Sequence, residues 1–165
     1  MIYAFFMDVQ KLLKENHVKY GLIMTAVTAA WILIMHFAGV YTQPDKDSAI
    51  DLIFIILSPI VVWYLGIVAK RTEQKGKLEY VEGLKEGIKI GVVYGIVSPF
   101  AFMLYYLLIN PEIIPYVKDS YRMAQASTSV IIIIDYLAQF VAAVIGGAIY
   151  GAIMSLFLRT DKKKK

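Results

Sequence analysis

Apolar positions in this chain come in long unbroken runs rather than in alternation or in narrow stripes. Four such runs occupy about residues 20–40, 51–69, 88–109 and 130–158, and charge is nearly absent from each. A run of ~20 apolar residues, rising 1.5 Å per residue, crosses a hydrocarbon core of ~30 Å. Lipid offers the backbone no hydrogen bonds, so segments of this kind fold as helices. A buried helix of a soluble bundle would carry a polar face, which these runs lack. The pattern predicts an all-α, polytopic membrane protein: one membrane domain over residues 1–165, with four transmembrane helices in two hairpins.

The segments between the runs differ in character. Residues 70–88 are basic. The first outer loop, "YTQPDKDSAID", is short, polar and rich in turn formers. The second, residues 110–129, opens with Asn110-Pro111, a pair that stops the third helix. Its middle, from Ile113 to Met123, is expected to form a short amphipathic helix. The first twenty residues lack the basic start, apolar core and small-residue site of a signal peptide. Phe5, Val9, Leu12 and Leu13 share one helical face there, which predicts a short N-terminal interfacial helix.

Small residues carry a second pattern. Gly83, Gly87, Gly91 and Gly95 recur at strict four-residue spacing. Glycine costs about 1 kcal/mol against alanine inside a helix, so its recurrence implies a close approach. Span four carries Asp135, Gln139, Ala143, Gly147, Gly151 and Ser155 at the same spacing. Membrane helices associate through close packing of small residues, so spans three and four are expected to meet along these rows. Span one adds a weaker set, Gly21, Thr25 and Ala29. Pro59 and Pro99, each after a serine, interrupt spans two and three near their middles and release carbonyls near Ile55 and Gly95. Covered kinks and broken helices framing a polar site both fit that arrangement.

The chain holds 17 Lys and Arg against 13 Asp and Glu, a net charge of +4. Placement matters more than the sum. All but three of the basic residues (Lys46, Lys118 and Arg122) lie in the N-terminal segment, the 70–89 region or the C-terminus, which places both termini in the cytoplasm. Basic residues beside membrane ends point to anionic lipid headgroups as partners and not to nucleic acid. There is no cysteine, so disulfide and thiol chemistry are excluded. His17 and His36 fall on opposite sides, which argues against a two-histidine metal site, and no cofactor is expected. Asp45, Asp47 and Asp51 read as a solvated outer loop. No GxSxG, P-loop or dinucleotide motif occurs, and no enzyme is expected. The candidate intramembrane polar site is His36, Asp135 and Gln139. Asp135 and His36 lie at similar depths, and intramembrane ionisable groups are usually paired, so a His36–Asp135 contact is one reading. The other leaves both at the outer interface in reach of water.

The stretch "GKLEYVEGLKEGIKIGVVYGIVSPFAFMLYYLLINPE" resembles the bacterial membrane family catalogued as domain of unknown function 4199. The likeness lies in Tyr80 and Glu82 before span three, Lys89 and Gly91 at its start, and Asn110-Pro111 at its exit, with "KYGL" opening span one. It is specific across residues 76–112; the lysine tail and the "PEIIPYVKDSYRM" loop stand apart from it. The resemblance implies a bacterial inner membrane and brings no activity with it. The expected role is a non-enzymatic assembly or accessory component, as a homo-oligomer or a subunit of a membrane complex. The alternative is a small oligomeric transporter or channel with a site near His36, Asp135 and Gln139.

Overall fold

A computed structural model describes residues 11–40 and 49–160. The expected interfacial helix lies mostly before residue 11, outside the described residues, as do Asp45, Asp47 and the lysine tail. Residues 11–14 are helical, and a bend at Glu15 separates them from the first long helix.

The long helices are α1 (Asn16–Phe37), α2 (Ala49–Glu73), α3 (Tyr80–Leu104) and α5 (Thr128–Leu158). A π-helical turn, Tyr105–Ile109, continues α3, and a 3-10 turn, Pro111–Ile113, leads into the short α4 (Ile114–Ser120). Among the described residues there is no strand. Four helices, α3 with its extension counted as one, are long and apolar enough to cross a membrane. The protein is a polytopic all-α membrane protein. Each of the four most apolar stretches buries well under half of its residues inside the bundle, so most of these residues are left toward its outside.

The helices overrun the apolar runs. Residues 70–88 are largely helical, with only 74–79 left as a connection. Lys and Glu are good helix formers, so the polar flanks prolong α2 and α3 beyond the hydrocarbon. The stop after α2 is a left-handed cap: Lys75 and Gly76 take φ 55° and 81°, and Gly76 N donates to Arg71 O at 2.9 Å. The connection is clasped by the far end of α5. Thr160 N donates to Leu78 O at 2.9 Å, Leu78 N donates to Thr160 Oγ1 at 3.2 Å, and that hydroxyl donates to Gly76 O at 3.1 Å. The start of α3 is thereby fixed on the end of α5, which sets the register between the two helices.

Helix α3 is central and packs on α1, α2 and α5. Near the basic end, Met24, Val62, Trp63 and Ile90 form an apolar core. Helix α2 buries only Val62, Trp63, Gly66 and Ile67, all on the basic side of Pro59. Before Pro59, Ile50, Leu52, Ile53, Ile55, Ile56 and Leu57 are exposed. That half is held on α1, where Trp31 stacks on Phe54 at 4.3 Å and donates Nε1 to Asp51 at 2.7 Å.

Candidate functional site

The glycine rows face each other. A Cβ added to Gly83 would strike Ser155, and one added to Gly87 would strike Gly151. On Gly91 it would lie 2.5 Å from Ala143 O, and on Gly95 it would lie 3.0 Å from Ala143 Cβ. Four residues forward in α3 meet four residues back in α5, as an antiparallel pair requires. Ser155, fully buried, donates its hydroxyl to Gly151 O at 2.5 Å and so joins the contact without an unpaired group. Gly146 is different: a Cβ there would meet nothing within 4 Å.

At the α4 end the ionisable residues separate. Asp135, 9% exposed, accepts from Tyr121 Oη at 3.0 Å and from Gln139 Nε2 at 2.6 Å, and the Tyr106 side chain lies near it. Burial, then the bond to Asp135 and its charge, push the Tyr121 phenol up to about 12. His36 instead has Nδ1 at 3.1 Å from Tyr105 Oη, to which Asn110 Nδ2 also donates at 3.1 Å. Of the two readings of His36 and Asp135, the direct contact is the one to correct, since each residue has a different partner. Helix α3 stands between α1 and α5, and its adjacent tyrosines divide the pair: Tyr105 turns to His36 and Tyr106 to Asp135.

Between these networks and the apolar core lies a cavity of about 340 Å³, walled by α1, α2, α3 and α5. Pro59 lines it and Pro99 follows Ser98 in its wall. Beside the carbonyls of Ile55 and Gly95 that the prolines release, Ser58 donates to Phe54 O at 2.7 Å and Tyr136 donates to Ile96 O at 2.9 Å. Five aromatic side chains stand in the wall, and Gln139 brings the Asp135 network to its edge. No charged side chain is among the described residues of this wall.

The basic end holds a site that the sequence pattern did not announce. Glu86 is 2% exposed and accepts from Asn16 Nδ2 at 2.9 Å. The same amide donates to Gly66 O at 2.8 Å, tying α1, α2 and α3 together. His17 Nδ1 stands 3.9 Å from Glu86, and Lys70 pairs with Glu73 at 3.2 Å. These residues, with Lys14 and Lys89, surround a polar cavity of about 280 Å³. Glu86 sits in a stretch rich in Lys and Glu that reads as solvated. The available signal was its place three residues after Gly83 and beside Gly87, on the side of the helix that approaches its neighbours. Among the described residues, no group of three or more His, Cys, Asp or Glu is placed to hold a metal ion.

The sequence profile of one family, described as "Protein of unknown function (DUF4199)", matches residues 19–160. No curated protein and no solved structure matches the chain.

Proposed function

The chain belongs to the DUF4199 family, and from that premise we propose that it is a non-enzymatic accessory component of a bacterial inner membrane, with both termini cytoplasmic, that assembles with itself or within a larger complex. One observation carries this reading. The half of α2 before Pro59 presents Ile50, Leu52, Ile53, Ile55, Ile56 and Leu57 outward and, among the described residues, is held chiefly by Trp31 of α1. The glycine rows are occupied within the protomer and build the platform, which leaves outward apolar faces on α2 and on α5 (Ile133, Leu137, Val141, Ile145 and Ile149) for a partner. Lys14, Lys70 and Lys89, gathered at the basic end beside the span termini, support anionic headgroups as partners. Mild solubilisation from native membranes at native expression, followed by mass analysis, tests the reading. A stoichiometric second polypeptide or a homo-oligomer is expected, and a stable monomer overturns it.

A second reading has its own support. The mid-span cavity lies beside both prolines and reaches the Asp135–Gln139 pair, as a small carrier or channel would require. Flux in vesicles that is lost in Asp135→Asn and Gln139→Leu, with folding retained, would favour passage over assembly.

A further inference from the structure

We propose that the cavity between α2 and α5 binds a neutral, lipid-soluble ring compound bearing carbonyl or hydroxyl oxygens, the chemistry of a quinone head. The assignment rests on the cavity itself and holds whether the protein assembles with partners or carries a solute.

Size comes first: about 340 Å³ falls within the ~300–1,000 Å³ of small-molecule sites. Charge comes second. With no charged side chain in the described wall, an ionic ligand would be desolvated without a partner, so the occupant is neutral. Shape comes third. Trp63 forms the floor, 2% exposed and fixed by its Nε1 bond to Gly87 O at 3.0 Å. Its ring lies 6.2 Å from Tyr94, edge to face, and 5.8 Å from Tyr150, and Phe54 and Phe102 complete the wall. Such a lining suits a flat ring by offset or edge contacts; a saturated acyl chain would leave the hydroxyls and the Gln139 amide of the wall unused.

Polar groups supply the rest. The Thr28 and Tyr94 hydroxyls lie 3.3 Å apart and share one bond, so one of their two hydrogens can turn to a ligand oxygen. Gln139 gives Nε2 to Asp135 and keeps its amide oxygen as an acceptor. The route in is lateral. Ile55 and Ala142 are exposed at the rim, Gly146 leaves open space beside them, and this rim faces hydrocarbon between α2 and α5. The ligand therefore arrives dissolved in the bilayer, past the lightly held half of α2.

The chain has two tryptophans, so in full-length Trp31→Phe protein Trp63 is the sole reporter, and quinones quench indole emission on contact. Titration with decylubiquinone in lipid nanodiscs is expected to quench Trp63 saturably, at one equivalent per chain. Adding Gly146→Leu should weaken the effect at least tenfold while leaving the melting temperature equal or higher, because its Cβ enters open space; Ile133→Leu, exposed on α5 and outside the cavity wall, should bind as the parent does. Quenching that rises linearly with quinone in the lipid, or saturable quenching indifferent to Gly146→Leu, overturns the proposal. So does a cross-link from Ile55→Cys to a second polypeptide that abolishes quenching in native membranes, since the cleft then belongs to a partner helix.

Discussion

The seam between α3 and α5 and the half of α2 before Pro59 sit in the same bilayer, and both are strongly apolar. In the seam, backbones meet at Gly87, Gly91, Gly147 and Gly151. In the α2 half, a run of Ile and Leu side chains faces outward, and Phe54 and Asp51 engage Trp31 of α1. The difference teaches that apolarity inserts a helix but does not make it associate. Lipid tails solvate isoleucine as well as another helix does, so association depends on surfaces that approach closely. Glycine provides one, while a fringe of β-branched and leucine side chains keeps backbones apart and waits for a complementary partner or for lipid.

Substitutions that move side-chain volume between the two regions test this contrast. The largest effect is expected from Gly91→Leu, whose Cβ alone would stand 2.5 Å from Ala143 O. Loss of folded protein is expected, and the milder Gly91→Ala should cost about 1–3 kcal/mol by overpacking, read as a fall in melting temperature in detergent. Normal yield and stability in both would erase the contrast. Glu86→Ala should come next. It leaves the buried Asn16 amide with Gly66 O as its one remaining acceptor, and a loss of about 1–3 kcal/mol is expected in the same assay. Trp31→Leu removes the stack and the bond that hold the loose half of α2; an effect of roughly 1 kcal/mol, confined to α2, should appear as faster labelling of a cysteine placed at Leu57.

Weaker still is the pH effect at the α4 end. The Tyr121 phenol is raised from 10.0 to about 12 and donates to Asp135. An acid whose folded pKa is raised contributes fully below its unfolded value and loses that contribution as pH rises through the folded one. Ordering of α4 should thus persist to pH 10 and fade between about 10 and 12, with ultraviolet absorbance following the phenolate. Titration of Tyr121 near 10, with α4 unchanged, would contradict the bond. The smallest effect belongs to Gly146→Leu, next door to the seam: no loss, and up to ~1 kcal/mol gained from helix propensity, in the same melting assay.

Much of this division was legible in the sequence. The four runs announce the spans because lipid forces helices on them. The four-residue rows identify both faces of the seam, because few reasons other than contact put glycine repeatedly inside a helix. The polar pairings were not legible in the same way. His36 and Asp135 share a depth, but depth says nothing of azimuth, and the neighbouring tyrosines of α3 decide which partner each receives. Glu86 was hidden because a buried glutamate and a solvated one look alike in a Lys- and Glu-rich stretch, and its burial depends on Asn16, seventy positions away. The cavity depends on how α1, α2, α3 and α5 stand around it, a tertiary arrangement that no local pattern encodes.

Because the chain has no cysteine, spin labels placed by substitution report on chosen pairs alone. Ile53, Ile96 and Leu137 are exposed on α2, α3 and α5. Distance distributions in lipid nanodiscs for the Ile96→Cys, Leu137→Cys pair and for the Ile53→Cys, Leu137→Cys pair compare the seam with the loose half directly. A narrow distribution across the seam and a clearly broader one from α2 is the result predicted. Equal widths, or a broad distribution across the seam, would contradict a glycine-locked α3–α5 pair with a loosely held α2.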